Sequence, residues 1–140
     1  MSVNINPVGL AAALATFFGV WLGHVSVRKI ERETVNLWKP TLIALALSVG
    51  FGAASFLTSS LSLSAICGIL SVTLLWDSLE FQRQQKRVKH GHAPANPNNL
   101  RHAKILAEYS EATSFDWLNR DPRGTPYSPA ELESMKEGAK

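Results

Sequence analysis

No lysine, arginine, aspartate or glutamate occurs between residues 1 and 27, and none between residues 40 and 76. A helix in water carries a polar face, so stretches this bare argue against a soluble helical core. Cysteine is nearly missing as well. The single Cys67 excludes an internal disulfide and any cysteine-based metal cluster within the chain. Set in an apolar run, it reads as a small packing residue. The opening MSVNINPVG lacks the basic residues that begin a secretory signal. Ala13-Leu14-Ala15 mimics a cleavage site, but too little apolar sequence precedes it, so no cleavable leader is expected. Also absent are a nucleophile–base pattern, a glycine-rich phosphate loop and a metal-ligand motif. No nucleic-acid-binding motif is present either, and seven acidic residues share the segment after residue 88. The expectation is a protein that is not an enzyme and binds no nucleic acid, and nothing in the sequence requires a cofactor.

What the chain does contain is divided into two halves. Mean hydropathy is +0.02, an average of an apolar first half and a charged second half. Val8–Val27 is the first apolar run; its twenty residues make a helix of about 30 Å, enough for the hydrocarbon core. Thr41–Leu57 is the second and Leu61–Leu75 the third, separated only by Thr58-Ser59-Ser60, which makes them antiparallel neighbours. The fold class read from this is all-α: an integral membrane protein with three transmembrane helices, over about 8–27, 41–57 and 61–76. The third is extended past Trp76 to about residue 88, closing a membrane domain of residues 1–88. Gly91 is positioned as its C-cap and Pro94 as a stop.

Residues 89–140 form a cytoplasmic helical tail. APANPNN reads as an extended connector, and Asn98 or Asn99 as the cap of a helix over about 100–117. DPRGTP is a turn. Ser128-Pro129-Ala130-Glu131 fits a capping box, opening a helix over about 129–137. With few large apolar residues the tail is not expected to build its own core.

The basic residues set the orientation. Arg28, Lys29, Arg32 and Lys39 lie between the first two runs, and the other ten Lys and Arg follow the third. All fourteen fall on one side of three spans, which places the N-terminus outside and the C-terminus in the cytoplasm. Trp21, Trp38 and Trp76 lie near that boundary.

The first run holds nine Val, Leu or Phe residues, worth on the order of −3 to −5 kcal/mol for insertion before its polar residues are counted. Such modest helices are rich in small residues instead. Gly19 and Gly23 share a face, as do Ser48 and Gly52, Gly50 and Ala54, and Ser64, Gly68 and Ser71. Small residues at this spacing let backbones approach closely in lipid, so these nine are the expected helix-packing positions.

Two stretches resemble a bacterial family of small, three-span membrane proteins catalogued only as a domain of unknown function. One is His24-Val25-Ser26-Val27-Arg28-Lys29-Ile30-Glu31. The other runs from Trp76 through Glu80, Gln84-Gln85-Lys86-Arg87-Val88, Gly91, Pro94, Asn96 and Pro97. The resemblance covers roughly residues 5–98. His92 stands where the family pattern has a large aromatic, and Asp77 where it has a neutral residue. The resemblance implies three membrane helices and a multi-pass protein of the bacterial inner membrane. It brings no activity, cofactor or catalytic residue.

The candidate chemistry is sparse. His24 is the only ionisable side chain in the first run, and intramembrane ionisable groups are functional candidates. It is the one cofactor-binding candidate, for a haem, chlorin or quinone, against a reading as an interfacial anchor. His90-Gly91-His92 lacks the further ligands a metal needs. Asp77 and Glu80, one turn apart, read as a solvated collar. Arg83, Lys86, Arg87 and Lys89 form a juxtamembrane basic cluster for anionic lipid or an acidic partner surface. The leading functional expectation is an accessory or assembly subunit beside larger membrane protein subunits. The competing one is a homo-oligomeric transporter or channel, its path lined by Thr16, Ser48, Ser55, Ser64, Ser71 and Thr73.

Overall fold

A computed structural model describes residues 6–116 and 129–138. Among the described residues there are five helices and no strand: α1 Pro7–Glu33, α2 Trp38–Leu57, α3 Leu61–Lys89, α4 Leu100–Glu108 and α5 Pro129–Gly138. The DPRGTP turn and the Ser128 cap lie outside the described residues.

Each helix starts and stops for a local reason. The Asn6 side chain accepts from the Val8 and Gly9 amides, and Pro7 occupies the first position of α1, where a missing N–H costs nothing. Helix α1 does not end at Val27; Arg28–Glu33 are good helix formers and carry it on. Between α2 and α3, Thr58 turns extended and gives its amide to Ala54, while the Ser60 hydroxyl accepts from Leu63. At the end of α3, Gly91 sits at φ +68°. Its amide reaches the Val88 carbonyl, and the His92 amide reaches Arg87. This is a Schellman closure, which places a glycine at the left-handed position.

The described residues form two compact units, and α1 and α3 each contribute to both. One unit takes the chain up to Ile30 together with Leu37–Gln82; the other takes Glu31–Asn36 together with the chain from Arg83. Along α3 the division between the two units falls between Gln82 and Arg83, and the α1–α2 connection joins the tail.

In the first unit α1, α2 and α3 are each long and apolar enough to cross a membrane, yet only 11% of each apolar window is buried. Phe17, Val49, Phe56 and Leu57 project outward. Side chains like these along the uncharged stretches of three helices suit lipid, and this is a multi-pass membrane architecture. Helices α2 and α3 zip together through serines. The Ser48 hydroxyl donates to the Ser71 carbonyl and the Ser71 hydroxyl to Ser48, both at 2.8 Å. The Ser55 and Ser64 hydroxyls repeat the exchange at 2.9 and 2.8 Å. The pairs are seven residues apart on each helix, so one antiparallel register serves both. Val27, Ala44 and Phe81 close a buried cluster from all three helices.

In the second unit the tail does build a core, contrary to the expectation from its composition. Val88, Ala93, Ala95, Ile105 and Ala112 are buried together, with Leu106 and Tyr109 against them. Alanines suffice because the backbones come close: the Ala95 amide donates to the Thr113 carbonyl at 2.8 Å. This return strand of chain also corrects the extent of α4, which stops at Glu108 rather than near residue 117. Tyr109 is extended, and a turn brings Ala112 into the core.

Candidate functional site

The most concentrated polar chemistry lies in the second unit, where α1 ends. A helix leaves its last four carbonyls without intrahelical partners. Here the segment Asn96–Arg101 satisfies two of them, those of Glu31 and Arg32, from a distance. The Asn96 and Asn99 side-chain amides both donate to the Arg32 carbonyl, at 3.3 and 2.9 Å. Arg101 gives Nε to the Thr34 carbonyl, one terminal nitrogen to the Glu31 carbonyl, and the other to Glu31 Oε1 at 2.8 Å. A cation there also complements the negative end of the α1 dipole. Asn99 does a second job, since its side-chain oxygen caps α4 by accepting from the Arg101 amide.

At the centre, Glu31 is 1% exposed and His102 0%. His102 Nδ1 accepts from the Asn96 amide at 2.9 Å, which leaves Nε2 to carry the proton and donate to Glu31 Oε1 at 3.1 Å. The histidine is thereby held as a single neutral tautomer. Among the described residues no buried side-chain nitrogen or oxygen lacks a partner. A Glu–His pair can orient a general base, but here both ring nitrogens are committed and the ring is sealed from solvent. The arrangement is a staple that fixes α4 to the last turn of α1, at Glu31 and Arg32, and to Thr34 just after it.

The other singled-out residues fall as follows. Gly19 faces Leu70 and Thr73 of α3, and Gly23 faces the Asp77 carboxylate so closely that a Cβ would stand 2.5 Å from its oxygen. Gly52 lies against the Ser71 hydroxyl and Gly68 against that of Ser55. Ser48, Ser64 and Ser71 form the zipper described above. Gly50 and Ala54 depart from this pattern: both are exposed, and a Cβ on Gly50 would meet nothing within 4 Å. They are not packing positions within the protomer, because they occupy the opposite face of α2 from Ser48 and Gly52.

His24 is exposed on α1. In the basic cluster, Arg83 and Lys86 are exposed, Arg87 donates to Gln84 Oε1 at 3.0 Å, and the Lys89 ammonium lies 4.8 Å from the Tyr109 ring centre. Lys89 thus braces its own unit through a cation–π contact. His90 pairs with Glu111 at 2.9 Å on the surface. Among the described residues no three His, Cys, Asp or Glu side chains converge as a metal site would require.

Sequence reasoning missed the Glu31–Arg101–His102 staple. Its available signal was a glutamate closing the first family-like stretch and an asparagine-rich connector closing the second. Neither says that the two ends meet.

Fold and site together define a three-span helical membrane protein with a second, stapled unit. Residues 6–99 match the family model described as Domain of unknown function (DUF4491), which is two thirds of the chain, and the protein belongs to that family. Both family-like stretches fall inside the match; Arg101 and His102 lie just beyond it. No curated protein and no solved structure matches the chain.

Proposed function

We propose that this protein is a non-catalytic accessory or assembly subunit of a larger membrane protein complex. The observation that carries the reading is the use to which the intramembrane hydroxyls are put. Thr16, Ser48, Ser55, Ser64, Ser71 and Thr73 are the groups from which a solute path would be built. Each donates to a main-chain carbonyl of its own helix or of the facing one. The four serines tie α2 to α3, and none of the six hydroxyl protons is left to donate to a passing solute. That weighs against a homo-oligomeric transporter or channel. Cofactor carriage at His24 has less support still, since the chain supplies no second histidine within its apolar runs.

In this reading the outward Gly50 and Ala54 give α2 a smooth face for a neighbouring subunit's helix. Arg83, Lys86 and Arg87, with Lys89 braced behind them, meet anionic lipid or an acidic partner surface, at about 1 kcal/mol per charge near such a membrane. The one-sided distribution of basic residues orients the chain with the N-terminus outside and the C-terminus cytoplasmic, in a bacterial inner membrane. A photo-crosslinking residue at Ala54 in the native membrane tests the proposal. Covalent capture of an unlike membrane polypeptide supports it; capture of lipid alone, or of a second copy of this chain, contradicts it.

A further inference from the structure

We propose that the cavity between α1, α2 and α3 beside Asp77 binds the primary ammonium of an aminophospholipid headgroup. The inference does not rest on the subunit reading, because its occupant is a lipid.

The cavity has a volume of about 190 Å³ and is half open. Ile30, Ile43, Leu74 and Phe81 are among its walls, and apart from Ser26 and Asp77 every residue lining it is apolar. Val27, Ala44 and Phe81, buried together, join the three helices there. Apolar walls with one or two placed polar groups are the usual form of a small ligand site.

The two polar groups are uncommitted. Neither the Asp77 carboxylate nor the Ser26 hydroxyl has a hydrogen-bond or ion-pair partner among the described residues. Asp77 is half-buried and lies against Gly23, where α1 has no side chain to meet it. The titratable groups acting on it are Glu80, of like charge, and His24, which is exposed. Glu80 adds to the demand for a cation. A carboxylate withdrawn from water without a partner costs free energy, which a bound cation recovers. An ionised carboxylate only accepts hydrogen bonds, and a primary ammonium has three hydrogens to donate. Asp77 and the Ser26 oxygen supply the acceptors. A quaternary ammonium has no hydrogen to give, so the site distinguishes the two by donors as well as by charge.

Position selects a lipid as the bearer of that ammonium. Val27 closes the first charge-free stretch, Pro40 opens the second, and Asp77 ends it. All three line the cavity, which therefore stands at the edge of the hydrocarbon core, where headgroups begin. Lys29 and Lys39, both exposed, adjoin the lining residues Ile30 and Pro40 in sequence. They supply positive charge at the rim for a phosphate. An acid within and bases outside match the zwitterion of an aminophospholipid.

The test titrates full-length protein, stripped of lipid in mild detergent, with phosphatidylethanolamine or phosphatidylcholine of matched acyl chains. Bound lipid is counted by native mass spectrometry. One ethanolamine lipid is expected to be held about tenfold more tightly than the choline lipid. Asp77→Asn should erase that preference. Ala44→Leu, which fills the cavity and keeps the charge, should erase it as well; should that variant fail to fold, the isosteric Asp77→Asn carries the test. His24→Gln should leave the preference intact. Equal affinity for the two lipids would overturn the proposal. So would a preference that survives Asp77→Asn, or one that is lost in His24→Gln. Displacement of the ethanolamine lipid by equimolar hexylamine would assign the site to a free amine and overturn the choice of lipid.

Discussion

Arg101 grips Glu31 twice, donating to its carboxylate at 2.8 Å and to its main-chain carbonyl, across 70 residues of sequence. The guanidinium closes a helix end and neutralises a buried acid in one contact. Its side chain is 12% exposed and that of Glu31 is 1% exposed, so neither charge has water to fall back on.

Removing Glu31 should therefore be costly. Breaking a buried ion pair by deleting one partner costs about 3–5 kcal/mol. Glu31→Ala is expected to speed amide exchange across α4 by about a hundredfold or more, with the α2–α3 hairpin unchanged. Exchange in α4 that matches the parent would mean the staple contributes nothing.

The histidine beside it has an assigned proton. Because Nδ1 accepts from the Asn96 amide, long-range proton–nitrogen spectra should show His102 protonated at Nε2 alone. His102→Ala leaves that amide and one Glu31 bond unmet, at about 1–3 kcal/mol for each orphaned group. A spectrum with the proton at Nδ1 would refute the arrangement.

Gly91→Ala should loosen the second unit. The left-handed backbone costs a residue with a Cβ about 1–3 kcal/mol, and the added methyl would run into the Glu111 carbonyl. Faster exchange at the Ala95 amide, which bonds Thr113, is the expected readout. An unaltered rate would mean the Schellman closure can be remade without glycine.

Two glycines two residues apart on α2 should behave differently. A side chain at Gly52 meets the Ser71 hydroxyl at 3.1 Å, and that hydroxyl is already committed to the Ser48 carbonyl. Gly52→Val is expected to overpack the α2–α3 seam by about 1–3 kcal/mol, slowing disulfide formation between Ser55→Cys and Ser64→Cys. Gly50→Val, pointing into open space, should leave the rate unchanged in purified protein. Equal effects would place the seam elsewhere.

The contrast between Gly50 and Gly52 also marks where the sequence stops being legible. Three spans can be read because an uncharged run is a one-dimensional signal. Gly91 followed by Pro94 announces the end of α3 in the same local way, and Asn99 the start of α4. Ser48–Gly52 and Gly50–Ala54 share a spacing, however, and spacing alone does not say which of two opposite faces meets another helix. Ala112 and Phe115 continue the helical period of α4, yet Ala112 reaches the core through a turn that the period does not encode. Alanine-rich packing around Val88 and Ile105 has no compositional signature. Glu31 and His102 lie 71 residues apart, and neither side chain carries a local mark of the other.

The claim that this chain acts by assembling with unlike membrane proteins is tested most directly by extracting it in native lipid discs and weighing the intact particles by mass spectrometry. The account predicts particles containing the chain with at least one different membrane polypeptide in fixed ratio. Particles holding only one copy, or a symmetric ring of identical copies, would contradict it.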